Sequence, residues 1–229
     1  MTQIKAPPLR ALVGEWLAPL ELNRLLASAP SLALQPRGRG QPVIVFPGLG
    51  AGNVSTYLLR RYLTQLGYDT HGWDIGRNRG DVQQMLPAVT DQVRRVHRKR
   101  GAKVAIIGWS LGGVLAREVA RDHPAWVRQV VTMGSPLVGG PRYTTFGAYY
   151  ESRGVDLDAM EARIQAREQT PITVPITSIY SKRDGIVAWQ ASIDRHTAHA
   201  EHEEVDATHF SLGISAQVFK IVARTLAQT

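Results

Sequence analysis

The feature that most constrains this chain is a succession of short apolar runs separated by helix-length segments. Val43-Ile44-Val45-Phe46 and Val104-Ala105-Ile106-Ile107 are continuous apolar tetrads, each followed at once by Pro-Gly or Gly. Runs this short suit strands better than helices, and the lack of polar alternation marks strands buried on both faces. Residues 127–132 and 176–180 extend the series, and 69–73 and 203–205 add two shorter strands. Helices are predicted over 53–65, from an Asp81 cap to residue 100, over 110–121 and over 215–227, with Pro87 expected to bend or delay the second. Buried strands alternating with helices imply an α/β fold: a mostly parallel sheet of about six strands with helices on both faces. Right-handed crossovers bring every strand's C-terminal end to one edge, where ligands bind. The residues just after each strand are therefore the candidates for chemistry.

At 229 residues the chain suits one domain with a substantial core. Residues 1–40 stand apart as a helical extension packed on a catalytic domain of residues 41–229. Leu12, Leu17, Leu20 and Leu25 fall at helix-like spacing, with a break expected near Pro19. An interfacial, lipid-contacting helix is the alternative for this segment. The longest insertion, about 135–173, carries Tyr143, Phe146, Tyr149 and Tyr150 and a helix-like stretch over 156–168. These rings suit either a lid over an apolar acyl pocket or the core beneath a long loop.

The third strand runs into Gly108-Trp109-Ser110-Leu111-Gly112-Gly113, which matches G-x-S-x-G. The serine of such a turn stands above the sheet edge at the start of a helix, where N–H groups and the dipole favour an oxyanion. A nucleophilic serine needs a base, and the base needs an orienting acid, in the chain order Ser, acid, His. Asp184 follows the fifth strand and His209 the sixth, so both arrive at the edge that holds Ser110. Asp206, three residues before His209, is the rival acid. His196, His199 and His202 recur every three residues and with Glu203 could suggest zinc, but such spacing on a polar segment more often marks a solvated face. No metal and no cofactor is expected. The N–H of Leu111 is one oxyanion donor. The second should come from Pro47-Gly48-Leu49-Gly50-Ala51-Gly52, at Leu49 or, failing that, Gly50. That loop lacks the lysine of a phosphate-binding loop and the spacing of a dinucleotide fingerprint.

These residues resemble the α/β-hydrolase superfamily, particularly its small bacterial lipases and carboxylesterases. The likeness runs through Phe46-Pro47-Gly48-Leu49-Gly50, the elbow around Ser110, Met133-Gly134-Ser135-Pro136, Asp184-Gly185-Ile186-Val187 and Thr208-His209-Phe210, and covers about residues 42–229. One departure is Pro47 where many lipases have histidine; proline removes a donor and fixes φ. The resemblance implies a hydrolase that cleaves carboxylic esters through an acyl-enzyme on Ser110, His209 and Asp184. Acyl transfer to an alcohol or thiol uses the same residues, and a non-catalytic binder would be expected to have lost one. Trp109, Val187, Trp189, Leu137 and Phe210 are expected to line the substrate pocket.

Composition narrows the remaining classes. No cysteine is present, which excludes disulfides, thiolate chemistry and cysteine-ligated metals. No apolar stretch approaches the roughly 20 residues of a membrane span, and the N-terminus does not read as a secretory signal, so a cytoplasmic location is expected. The net charge is +8. The densest basic run, residues 94–100, closes a predicted helix and complements its dipole, and no nucleic-acid motif accompanies it. The expected partner is a small-molecule ester or lipid substrate, with neither nucleic acid nor stable membrane insertion; monomer and dimer both remain open.

Overall fold

The computed structural model describes residues 4–16 and 18–228. Six strands form one sheet: β1 (Pro42–Phe46), β2 (Asp69–His71), β3 (Val104–Trp109), β4 (Val127–Met133), β5 (Ile176–Tyr180) and β6 (Glu201–Glu204). Their spatial order is β2-β1-β3-β4-β5-β6 and every pairing is parallel. The sheet is thus the expected α/β-hydrolase type, and parallel throughout.

The apolar strand residues divide between two layers, because successive residues face opposite sides, with an irregularity in the β3–β4 pairing resetting the alternation after Val127. Val43, Val45, Ala105, Ile107, Val131 and Met133 face one layer. That layer contains α4 (Tyr57–Gln65), α9 (Ala216–Ala227) and residues of α2 (Ala18–Ala27) and α3 (Ala29–Ala33). Ile44, Phe46, Val104, Ile106, Val127 and Val130 face the other, which contains α5 (Val82–Arg100) and α6 (Leu111–Asp122). With both faces covered, β1 and β3 are apolar almost throughout, while the buried Thr132 and Ser178 hydroxyls of β4 and β5 bond each other at 2.9 Å.

Several boundaries differ from expectation. The N-terminal break falls at Trp16 rather than Pro19: α1 (Leu12–Glu15) ends there and α2 starts at Ala18. Pro19 lies in the first turn of α2, where its missing N–H loses no helical bond. Leu17 and residues 1–3, which the sequence reading included, lie outside the described residues. Leu12 packs against the Ile186–Ala191 cluster and Leu25 enters the core, whereas Leu20 is exposed. Pro87 does not delay α5, which starts at Val82 with Asp81 Oδ1 accepting from the Gln84 N–H at 3.0 Å. β2 stops at His71 because Trp73 leaves the ladder to bury its ring edge-on to Phe46. β6 begins two residues early, and its four residues are exposed and charged or polar, a composition that discourages further strand pairing at this edge.

The 135–173 insertion folds as α7 (Gly147–Ser152) and α8 (Leu157–Glu168). Buried charges fasten α8 to α6. Arg117 holds Glu168 through its two terminal guanidinium nitrogens, Nη1 and Nη2, at 3.2 and 3.1 Å and reaches Asp194 at 3.3 Å, while Arg121 adds a contact to Glu168 at 2.9 Å. Burial pushes the Asp194 carboxyl up. Arg117 and the bonds from Thr197 and His196 outweigh that and hold it below the usual carboxylate range. A depressed folded-state value means that Asp194 stabilises the fold above the unfolded carboxylate range, and that this contribution is lost as pH falls through the folded value. Removing Arg117 leaves a buried carboxylate without its cation. Arg117→Ala should therefore lower the unfolding free energy by about 3–5 kcal/mol at pH 7. The deficit should narrow at acid pH, as read from paired urea titrations.

Candidate active site

The site starts where β3 ends. Ser110 has φ 53° and ψ −123°, a conformation that non-glycine residues rarely adopt. Its N–H donates to the Met133 carbonyl at 2.8 Å, which continues the β3–β4 ladder one residue past the strand. The turn is possible because its neighbours lack side chains. A Cβ at Gly108 would lie 2.3 Å from the Gly113 Cα, and one at Gly112 would lie 2.5 Å from the Phe46 carbonyl oxygen. The chain then enters α6, so the Leu111 N–H heads a helix and has no intrahelical acceptor.

The loop after β1 crosses this turn. A Cβ at Gly48 would stand 3.2 Å from Ser110 Cβ. Buried Asn78 pins the loop at several points. Its Nδ2 donates to the Pro47 carbonyl at 2.9 Å, its N–H donates to the Ala51 carbonyl at 2.9 Å, and its carbonyl accepts from the Gly50 N–H at 2.7 Å. The last bond occupies Gly50, the runner-up oxyanion donor. Asn78 went unrecognised in the sequence, where it is one polar residue between two arginines and no motif marks it.

Asp184 and His209 meet beyond β5 and β6. Asp184 Oδ1 accepts from the Ile186 and Val187 N–H groups at 2.8 and 2.7 Å, and Oδ2 lies 2.7 Å from His209 Nδ1. Both side chains are buried. Gly134, directly after the strand that binds the Ser110 N–H, has φ +55°, and a Cβ there would lie 2.9 Å from Asp184 Oδ2 and 3.2 Å from His209 Nδ1. The Ser110 turn and the His209–Asp184 pair thus each adjoin the C-terminal end of β4. The rival Asp206 is turned away and pairs with Arg183 at 3.0 Å. His202 Nε2 lies 3.1 Å from the Asp194 carbonyl, and no three His, Asp or Glu side chains among the described residues are grouped to hold a metal.

A further carboxylate, unforeseen from sequence, adjoins the pair. Glu15, at the end of α1, is 4% exposed. Its Oε1 accepts from the Gly185 and His209 N–H groups, each at 2.9 Å, and its Oε2 accepts from the Phe210 N–H at 2.8 Å. Burial pushes the His209 imidazole down, but Asp184 and then Glu15 outweigh it, and the net shift is upward from 6.5.

The five residues expected around the substrate are dispersed. Phe210 is half exposed and edge-on to His209. The Trp109 ring faces His209, and its Nε1 donates to the His209 carbonyl at 3.2 Å. Val187 and Leu137 are buried. Trp189 stacks on Tyr180 with Lys182 over its ring. In the insertion, Phe146 and Tyr149 are exposed rather than in the core. The insertion is tied to the acid loop, since the Thr145 N–H donates to the Ile186 carbonyl at 2.9 Å.

A histidine whose value is raised on folding stabilises the fold below the unfolded value, and that contribution fades as pH rises through the folded one. In an NMR titration the His209 midpoint should lie above 6.5, and Asp184→Asn should move it down.

The chain is similar to several known proteins. Residues 42–201 match the family model described as palmitoyl protein thioesterase. Two curated relatives are pimeloyl-[acyl-carrier protein] methyl ester esterases. The one from Aeromonas hydrophila is 26% identical over 46% of this chain and 42% of its own. The one from Aliivibrio fischeri is 28% identical over 46% of this chain and 40% of its own. The chain spans less than half the length of these relatives. Among solved structures, a Bacillus licheniformis lipase has a TM-score of 0.61 at 16% identity, covering 84% of this chain and 94% of the lipase. A Bacillus subtilis naproxen esterase has a TM-score of 0.62 at 13% identity, covering 91% of this chain and 98% of the esterase. These two likenesses concern the fold. No helix among the described residues is long and apolar enough to cross a membrane. With its family model matched across the whole sheet up to the first residue of β6, the chain belongs to the palmitoyl protein thioesterase family of the α/β-hydrolase superfamily.

Proposed function

We propose that this chain hydrolyses carboxylic esters through an acyl-enzyme on Ser110. The observation that carries the reading is the strained Ser110 turn beside the buried His209–Asp184 pair. Ser110 Oγ attacks the ester carbonyl while His209 Nε2 takes its proton. Asp184 fixes the Nδ1–H tautomer and stabilises the imidazolium as it forms. The tetrahedral oxyanion accepts from the Leu111 and Leu49 N–H groups. Collapse breaks the bond to the alkoxide, which leaves with the proton from His209. Water, deprotonated by His209, then releases the acid and restores Ser110.

The substrate's apolar end is assigned to the exposed and half-buried side chains about the sheet edge. Phe210 adjoins His209, while Leu49 and Tyr150 both approach Gly80. Trp109 backs His209 and Trp189 lies at the Tyr180 end, while the expected pocket residues Val187 and Leu137 are buried. A thioester is the second reading, favoured by the family match, because a thiolate leaves the same tetrahedral intermediate readily. Acyl transfer to an alcohol or thiol acceptor shares every step up to the acyl-enzyme.

The test is turnover of p-nitrophenyl acetate, butyrate, octanoate and palmitate, and of palmitoyl-coenzyme A, by the parent and by folded Ser110→Ala. The parent should turn over at least one acyl chain length, and Ser110→Ala should lose about 10⁴-fold or more. Equal rates for parent and variant, or none from a folded parent on any of these, would sink the hydrolase reading. Product analysis with added alcohol or thiol separates hydrolysis from transfer.

A further inference from the structure

Glu15 takes no proton and forms no bond in the acyl-transfer steps, yet its carboxylate is among the most deeply buried charged groups of the described residues. Its three hydrogen bonds all go to main-chain N–H groups in two loops. Gly185 follows Asp184 directly, and His209 and Phe210 are the base and the residue after it. All three are acceptor roles, which an ionised carboxylate fills without a proton of its own. The two loops follow different strands and have no covalent reason to keep a fixed separation.

The docking of α1 is close-fitting. A Cβ at Gly185 would meet the Ala11 carbonyl oxygen at 2.6 Å and Glu15 Oε1 at 2.9 Å, so only glycine admits the helix here. Ile4 and Leu12 pack against Ile186, Val187, Ala188 and Ala191, the segment that carries the N–H donors to Asp184 Oδ1. One face of the N-terminal segment thus grips the acid loop while Glu15 reaches the histidine loop.

We propose that Glu15 is a positioning residue that clamps the acid loop to the histidine loop and holds the His209–Asp184 pair in one geometry. The proposal rests on the reading of Ser110, His209 and Asp184 as the catalytic group. Its charge adds a second effect. The charged groups that act on His209 are Asp184 from the acid loop and Glu15 from α1, while Trp109 and Phe210 present uncharged rings. Glu15 therefore favours the imidazolium that forms as Ser110 attacks, as a fixed charge requiring no rearrangement during the reaction.

Glu15→Gln and Glu15→Ala test the clamp. In Glu15→Gln the amide oxygen can keep two of the bonds, but its NH2 group then faces the Phe210 N–H. Expected in the folded variant are a kcat reduced on the order of 10–100-fold with KM little changed, a lower NMR titration midpoint for His209, and a broadened downfield Nδ1–H resonance. A residue that merely anchors the N-terminus would lower the melting temperature and leave kcat, the midpoint and the resonance of the folded protein at parent values; that result overturns the proposal. Should Glu15→Ala fail to fold, Glu15→Gln and the parent still decide. In the parent, the amides of Gly185, His209 and Phe210 should exchange as slowly as those of β3, and exchange at open-loop rates would overturn the clamp without any variant. The NMR and exchange measurements need no substrate, so they stand apart from a failure of ester hydrolysis itself.

Discussion

The backbone of Ser110 is held at φ 53°, ψ −123°, a conformation that costs on the order of 1–3 kcal/mol and persists only when its surroundings over-determine it. Here they do. The β3–β4 ladder runs through Trp109 opposite Met133 and captures the Ser110 N–H one step beyond. On the far side, α6 must begin immediately, and its first turn presses Gly112 against the Phe46 carbonyl and Gly113 against Ser135. Ordinary side chains at 108, 112 or 113 would push the helix off the sheet and let the serine relax. The strain is thereby spread over β1, β3, β4 and α6, whose residues around the turn are largely buried.

The loops about the serine are less rigid in principle, and each is fixed by a buried polar group that satisfies main-chain atoms. Asn78 closes on the 47–51 loop, Asp184 caps its own turn through the Ile186 and Val187 N–H groups, and Glu15 joins the acid and histidine loops. Loops at a sheet edge expose N–H groups that would otherwise need water. Satisfying them with buried side chains both orders the loop and excludes solvent from the histidine. The Arg117–Glu168 pair performs the corresponding task for the insertion, fastening α8 to the helix that follows Ser110.

Much of this was legible in the sequence because a parallel sheet converts strand position into spatial position. Once 104–107 and 176–180 read as strands, the residues after them had to share an edge, which put Ser110 and Asp184 together without any contact information. The weak strand at 203–205 sufficed for His209 for the same reason. Glu15 was not legible, since its partners lie 170 to 195 residues away and α1 is a four-residue helix with little periodicity. Asn78 sits in an irregular loop whose side-chain directions no period specifies. The N-terminal break is hard to place from sequence because a proline in a first helical turn and a proline that ends a helix look alike until the helix start is known.

The account stands on Ser110 being a nucleophile activated by its surroundings, and covalent capture tests that most directly. The protein should be incubated with a fluorophosphonate, and its intact mass and proteolytic peptides then measured. One adduct per chain, located on Ser110 and forming faster as pH rises through the His209 titration, is the predicted result. No adduct on folded protein, or an adduct spread over other serines with Ser110 unmodified, would contradict it.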